Sequence, residues 1–286
     1  MSVLNEVKAI MNRVNKEEDD EVAMEKIEPF SEECKWGKNG LWLFIAPQGG
    51  GKTYLLIEII LYAERYLPKP FFNQIIFSST SDGMDKTLEM FKKEIKTPIE
   101  FVPADNIMKR LQMHIRRKKK FYSMMKYVHS HGEKVDDIMK KAGKKYHLYT
   151  QKKTAKYIKK KIKDYGHPSY PANLFLILDD YLGDDSLERR NQPLVKMLTK
   201  LRHYNITTCI SQQSTKGIGR TARILASDVC LWKGFGEEDF LDLFKEISLT
   251  VNKKDLYKVY STFKNRHDRL EVHKHLDEID VQLSAP

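Results

Sequence analysis

The fold of this chain is decided by the sequence LWLFIAPQGGGKT, residues 41–53. Five apolar residues lead into a glycine-rich loop that ends in Lys52 and Thr53, which is the pattern of a buried strand, a phosphate-binding loop and a helix. Glycines let backbone N–H groups approach phosphate oxygens closely, and the following helix presents its positive dipole end to the anion. The consensus is G-x-x-x-x-G-K-[ST]. Ala46 stands at its first glycine, and the glycines at 49–51 keep the turn feasible.

The loop predicts a site for ATP and Mg2+. We expect Lys52 to reach the β- and γ-phosphates and the Thr53 hydroxyl to ligate Mg2+. The residues expected to contact the nucleotide are Ala46, Pro47, Gln48, Gly49, Gly50, Gly51, Lys52, Thr53 and Tyr54.

Composition predicts a folded protein with an anionic partner. Of the 286 residues, 41% are hydrophobic and 31% are charged, and the net charge is +11. The three cysteines are far apart and form no C-x-x-C pair, so we expect a reducing compartment, no disulfide framework and no zinc ribbon. The apolar runs are too short to span a bilayer, and we expect no membrane partner.

The positive charge is concentrated in one segment. Lys109–Asp164 contains 20 Lys and Arg and four acidic residues, a net charge of +16, whereas the rest of the chain carries −5. Lysines along helices suit phosphate contacts that ignore base sequence, so the segment predicts DNA binding. A solvated helical hairpin and a docking surface for an acidic protein remain alternatives. The expected DNA contacts are Arg116, Arg117, Lys118, Lys119, Lys120, Lys159, Lys160 and Lys161.

Short apolar strands alternate with helical segments along the chain. This predicts an α/β fold of the P-loop NTPase kind (RecA/ASCE-like), with a mostly parallel central sheet flanked by helices and a basic helical insertion before the second acidic strand. We expect a polar lead-in at 1–35, an ATPase domain at 36–265 interrupted by the insertion at 105–168, and a charged tail at 266–286 with one candidate strand at Leu270–His275.

Two further strands end in polar residues. The sequence NLFLILDD, residues 173–180, ends in two carboxylates. We expect Asp179 to hold Mg2+ and Asp180 to orient and polarise the water that attacks the γ-phosphate. A later strand ends at Gln212, whose amide can sense that phosphate, although Gln213 beside it leaves the assignment open. Ligands bind at the carboxyl ends of strands in such sheets, so these groups converge on one edge.

The sequence LRHYNITTCISQ, residues 201–212, resembles the R-x-x-G-I … T-Q signature of the FtsK–HerA superfamily of DNA-pumping ATPases. In particular it resembles that of the packaging ATPases of large nucleocytoplasmic DNA viruses, the poxvirus type, and of their virophage and related relatives. The resemblance covers roughly 37–265 without the basic insertion. Asn205 departs from the pattern, because the superfamily usually has glycine there.

The resemblance implies an ATPase that forms ADP and phosphate while translocating double-stranded DNA, and so packages a viral genome into a capsid. It implies a homo-oligomeric ring, pentameric or hexameric, in which Arg202 reaches the next subunit's γ-phosphate; Arg220 and Arg223 are rival candidates. Lys52 and Gln212 would be catalytic together with Asp180 and Arg202. Capsid vertex proteins are further expected partners, and the expected location is the virion or the viral factory in the host cytoplasm. The alternatives are a cellular or plasmid translocase or helicase, and a nucleotide-switched nucleic-acid-binding protein.

Overall fold

The chain divides into two compact units, Met1–Val22 with Leu111–Pro171, and Ala23–Arg110 with Ala172–Pro286. The residues that the computed structural model describes are 27–67, 71–80, 84–116, 173–181, 193–247 and 249–284. The described part of the first unit is 111–116, which is helical. Most of the predicted basic insertion therefore lies outside the described residues. The second unit contains the sheet and the candidate site.

Ten strands are described in the second unit. They are β1 (Glu28–Pro29), β2 (Gly37–Lys38), β3 (Leu41–Ile45), β4 (Gln74–Ser79), β5 (Ile99–Phe101), β6 (Leu174–Asp179), β7 (Ile206–Gln212), β8 (Asp228–Trp232), β9 (Arg269–His273) and β10 (Glu278–Gln282). β1 and β2 form a two-stranded sheet, and the others form one sheet in the order β10-β9-β8-β3-β7-β6-β4-β5. Neighbours from β8 to β5 are parallel, whereas β9 and β10 are antiparallel.

Where they are described, the connections between the parallel strands are largely helical, as such crossovers usually are. The described helices are α1 (Lys52–Tyr66), α2 (Met84–Glu94), α3 (104–116, as far as this segment is described), α4 (Pro193–Leu201), α5 (Arg220–Leu225), α6 (Glu237–Lys245) and α7 (Lys253–Ser261). A 3-10 turn at Arg202–Tyr204 leads into β7. Among the described residues, no helix combines the length and the apolar character needed to cross a bilayer.

The central strands are buried along their whole length. Every residue of β3, β7 and β8 is buried, as are the first five residues of β6. Parallel strands covered on both faces read as continuous apolar runs, which is why β3 and β6 were evident in the sequence. Aromatic rings fill much of the core: Trp42 lies 5.2 Å from Trp36 and 5.1 Å from Phe175 between ring centroids. The predicted mostly parallel α/β sheet flanked by helices is confirmed.

The two terminal segments, predicted as a polar lead-in and a charged tail, contribute residues to the core and strands to the sheet. Phe30 and Cys34, assigned to a polar lead-in, belong to the core. The segment 266–286, expected as a charged tail with one candidate strand, carries both β9 and β10 and extends the sheet beyond β8. The expectation of a tail was wrong because the central residues of β9 are buried against β8, with Leu270 fully buried.

A buried charged cluster joins β8 to β9. Asp228 and His273 face each other in the antiparallel register, and His273 Nδ1 lies 2.7 Å from Asp228 Oδ1. His273 Nε2 lies 3.8 Å from carboxylate oxygens of Glu271 and Asp280, and His275 Nδ1 lies 3.5 Å from Asp228 Oδ1. Burial lowers the pKa of His273, but the carboxylates of Asp228 and Glu271 outweigh it and raise that pKa from 6.5 to about 9.

This raised pKa predicts a loss of stability at alkaline pH. The stabilisation is fully present below about pH 6.5, where His273 is charged in both states, and is lost as pH rises through 9. We expect the free energy of unfolding to fall by up to about 3 kcal/mol between pH 6 and pH 10. Urea unfolding across this range measures it. His273→Gln should show a much flatter profile, and equal profiles for both proteins would contradict the assignment.

Candidate nucleotide-binding site

The glycine-rich loop links the end of β3 to the start of α1. Gly49 and Gly51 have φ values of 72° and 106°, in the left-handed region that favours glycine. Gly50 N donates a hydrogen bond to Pro47 O at 3.0 Å. A Cβ at Gly50 would lie 2.7 Å from Ala46 Cβ, so the loop closes only because position 50 lacks a side chain. The alanine at the first consensus position is therefore compatible with the loop.

The amino end of α1 faces this loop with its N–H groups. Its N-cap, Gly51, provides no side-chain hydrogen bond, and the first turn carries no acidic residue. The first N–H groups of a helix lack intrahelical partners and attract anions. Tyr54, in the same turn, is 63% exposed. These features fit a phosphate group bound at the start of α1.

Lys52 folds back across the loop. Its Nζ donates to Ala46 O at 2.9 Å. Burial lowers the pKa of Lys52, and the carboxylates of Asp179 and Asp180 act in the opposite direction. The ammonium group of Lys52 thus lies between the loop and the acidic end of β6. From this position it could move to bind the phosphate of a nucleotide.

The two aspartates have different environments. Burial raises the pKa of the Asp179 carboxyl, whereas the Ser211 hydroxyl and the Lys52 ammonium group lower it. Asp180 has a φ of 53°, which is uncommon for a residue other than glycine. Its backbone N donates to Ser211 O at 2.9 Å, and its Oδ2 accepts from Gln213 Nε2 at 3.1 Å. Asp180 is therefore oriented independently of Asp179.

Gln212 lies between the loop and the acidic strand. β7 pairs with β3 on one side and β6 on the other, with Gln212 opposite Ile45 and Ser211 opposite Asp179. The Gln212 side chain is fully buried, and neither its Oε1 nor its Nε2 has a hydrogen-bond partner among the described residues. Buried amides without partners are rare and costly, so this group fits a role toward a ligand.

Arg202 lies before the amino end of β7, on the side of the sheet opposite to the phosphate loop. It begins the 3-10 turn before β7, whereas Gln212 ends that strand. Seven strand residues at about 3.3 Å each separate the two edges by about 20 Å, which is much longer than an arginine side chain. The turn ends at Asn205, whose φ of 53° lies in the left-handed region that favours glycine. Arg202 therefore does not contact the phosphate loop of its own subunit.

The rival arginines are paired within their own chain. Arg220 Nε lies 3.0 Å from Glu246 Oε2, and Arg223 Nη1 lies 2.8 Å from Asp242 Oδ2. Both arginines belong to α5. Reaching a neighbouring subunit would cost each of them this ion pair. Arg202 stays our prediction for the trans arginine because residues 201–212 resemble the superfamily signature.

Two residues near the loop were not predicted from the sequence. His267 Nδ1 lies 3.1 Å from Gly50 O, and Arg266 Nε donates to His267 Nε2 at 3.0 Å. No local motif marks them, since they are more than 200 positions from the loop. Of the predicted DNA contacts, Arg116 is described and exposed. The predicted contacts that lie outside the described residues are Arg117, Lys118, Lys119, Lys120, Lys159, Lys160 and Lys161.

The fold and this constellation define a P-loop ATPase, with β7 placed between the phosphate-loop strand and the acidic strand. Residues 111–274, more than half of the chain, match the family described as poxvirus A32 protein. The chain belongs to the poxvirus A32 protein family. The predicted resemblance to poxvirus-type packaging ATPases is thereby confirmed. No curated protein sequence matches the chain.

Solved structures support the fold. The chain is similar to B204, the DNA-packaging ATPase of Sulfolobus turreted icosahedral virus, with a TM-score of 0.52 and 12% identity over 87% of this chain and 99% of that one. It is also similar to the genome-packaging NTPase B204 of Sulfolobus turreted icosahedral virus 2 in complex with AMP, with a TM-score of 0.50 and 11% identity over 86% and 98% of the two chains. At this identity the likeness shows the fold alone.

Proposed function

We propose that this protein is an ATP-driven DNA translocase that packages a double-stranded viral genome into a capsid. It works as a homo-oligomeric ring, with ATP bound between neighbouring subunits. Membership of the poxvirus A32 family and the packaging role of the similarly folded B204 ATPase support this assignment. The corresponding location is the virion or the viral factory in the host cytoplasm, with capsid vertex proteins as partners.

The observation that carries the proposal is the convergence of Lys52, Asp179 and Gln212 at the carboxyl ends of β3, β6 and β7. Three adjacent strands thus present an ammonium group, a carboxylate and an unpaired amide at one edge. This set can hold a triphosphate and position water at its terminal phosphate. Asp180, oriented by Gln213, is the group that accepts the hydrogen bond from that water.

The oxygen ligands available here fit Mg2+. Thr53 in the first turn of α1 supplies a hydroxyl and Asp179 a carboxylate, and Mg2+ prefers such ligands together with phosphate oxygens and water. When bound there, Mg2+ would supply positive charge beside the phosphate oxygens. Lys52 binds the β- and γ-phosphates, and Gln212 contacts the γ-phosphate or the attacking water.

The proposed trans arginine follows from the position of Arg202. Arg202 lies at the amino ends of the strands, and its own phosphate loop lies at their carboxyl ends. It can therefore contact a γ-phosphate only in another subunit. A guanidinium at that place neutralises the charge that develops on the transferred phosphoryl group. The ring is therefore part of the catalytic proposal.

ATPase activity measured with and without duplex DNA, alongside the mass of the assembly, tests the proposal. We expect multiple turnovers that duplex DNA stimulates, carried out by an assembly of several chains. Slow turnover by a monomer, with no response to DNA, would instead support a nucleotide-switched binding protein.

The basic segment is proposed to contact the DNA backbone. Replacing Lys118, Lys119 and Lys120 by glutamine should reduce the slope of log K against log salt by up to about 3, since each phosphate contact contributes about 0.9. The control replaces three exposed lysines on or just after α2, Lys92, Lys93 and Lys96, and removes the same charge. Equal slopes for the two variants would favour a docking role toward an acidic capsid component.

A further inference from the structure

The connection between α7 and β9 is held rigidly beside the phosphate loop. The buried Asp268 carboxylate accepts hydrogen bonds from Lys264 N and Asn265 N, each at 2.8 Å. It also accepts from the N and Oγ atoms of Ser284, and Lys233 N donates to Asp268 O at 2.9 Å. These bonds fix the backbone on both sides of Arg266 and His267.

A chain of two hydrogen bonds runs from this connection to the loop. Arg266 Nε donates to His267 Nε2 at 3.0 Å, and His267 Nδ1 lies 3.1 Å from Gly50 O. A guanidinium group can only donate, so Nε2 must accept and the neutral imidazole carries its proton on Nδ1. That proton is then donated to Gly50 O. Arg266 thereby selects the imidazole tautomer that the loop requires.

The contact has a geometric consequence for the loop. In a planar trans peptide the carbonyl and the N–H point in opposite directions. Because His267 holds Gly50 O, the N–H of Gly51 is turned away from His267. A Cβ built on Gly51 would lie 3.5 Å from His267 Nδ1, so the imidazole lies directly against this peptide. Glycines at 50 and 51 leave the peptide free to flip in the absence of such a contact.

We propose that His267 is a positioning residue of the phosphate site, acting in the same subunit and oriented by Arg266. It holds the Gly50–Gly51 peptide with its N–H available to nucleotide phosphate. Arg266 is exposed, and its guanidinium has no carboxylate partner among the described residues, so it also adds positive charge beside the loop. A Cβ at Gly49 would lie 3.9 Å from Arg266 Nη1. This inference rests on the assignment of the loop as a nucleotide site.

The test compares His267→Ala, His267→Asn and Lys264→Ala. The asparagine amide retains a donor near the position of Nδ1, and Lys264 is an exposed cation in the same connection whose side chain takes no part in the hydrogen-bond chain. We expect His267→Ala to raise KM for ATP and Kd for mant-ADP about fivefold, the usual effect of losing one hydrogen bond. His267→Asn should restore both to within about twofold, and Lys264→Ala should match the unmodified protein.

The thermal unfolding midpoint and the Kd for mant-ADP separate the possible outcomes. The thermal unfolding midpoint should fall by no more than about 4 °C in any variant, because His267 is exposed and its replacement removes a single hydrogen bond within the protein. Unchanged KM and Kd in His267→Ala would overturn the inference, as would an asparagine variant no better than alanine. If the unmodified protein binds mant-ADP without turning over ATP, the ATPase assignment falls, while Kd still tests His267.

Discussion

The Lys52→Ala variant is expected to lose ATP turnover by at least about a hundredfold, the typical effect of removing one preorganised donor from a site of developing charge. In this structure the ammonium group lies 2.9 Å from Ala46 O and is attracted by the carboxylates of Asp179 and Asp180. Since burial disfavours its charge, the group should be stabilised strongly by phosphate oxygens. Alanine removes that attraction while leaving the glycine turn unchanged.

Nucleotide binding and turnover should be measured together for this variant. Asp180→Asn is the informative comparison. It should keep nucleotide binding while losing hydrolysis, because an amide does not polarise the attacking water as the carboxylate does. Normal turnover in Lys52→Ala would contradict the site assignment. Normal turnover in Asp180→Asn would move the water-orienting role to another residue.

Arg202→Ala is expected to be inactive on its own, with a loss in kcat of about a thousandfold or more, as found for arginines that act in trans. Mixing it with Lys52→Ala should restore activity. A site formed by the Arg202→Ala subunit retains its lysine and receives the arginine of a Lys52→Ala neighbour. In a random one-to-one ring about a quarter of the interfaces are of this kind, so we expect at most about a quarter of normal turnover.

Turnover measured across mixing ratios checks this expectation, with the maximum near equal amounts. Arg220→Ala serves as the matched control, because this arginine is already paired with Glu246. Activity that stays absent at every ratio would contradict a site shared between subunits. Rescue of Arg220→Ala in place of Arg202→Ala would assign the trans role to Arg220.

The central strands could be predicted from the sequence, and the edge strand β10 could not. β3, β6 and β7 are apolar runs buried on both faces, and each ends within a residue of its predicted boundary. β10 has the sequence EIDVQ and no buried residue. Its place in the sheet depends on pairing with β9, which joins it in register from Glu278 to Gln282. Local sequence therefore gave little indication of this strand.

The candidate site shows a similar division. Lys52, Asp179 and Gln212 were predicted because each lies at the carboxyl end of a strand or just after the loop that follows it, and these ends meet on one side of the sheet. The fit of Gly50 against Ala46 depends on a backbone conformation that spacing alone does not show. The contact between His267 and Gly50 O joins residues 217 positions apart. Such contacts follow from tertiary packing, and no motif in a single sequence encodes them.

The strand β7 connects two places that the proposed ring uses for different subunits. Under this proposal its end at Gln212 faces the subunit's own nucleotide, and the turn before it carries Arg202, the arginine proposed to reach the neighbour. The strand is buried throughout and hydrogen-bonded to β3 and β6, so a displacement at one end is transmitted along its length. In such a ring, hydrolysis at one site would shift the Arg202 that completes the neighbouring site. Each subunit would thus be coupled to the next one through β7. The order of hydrolysis around the ring would then be a property of the sheet.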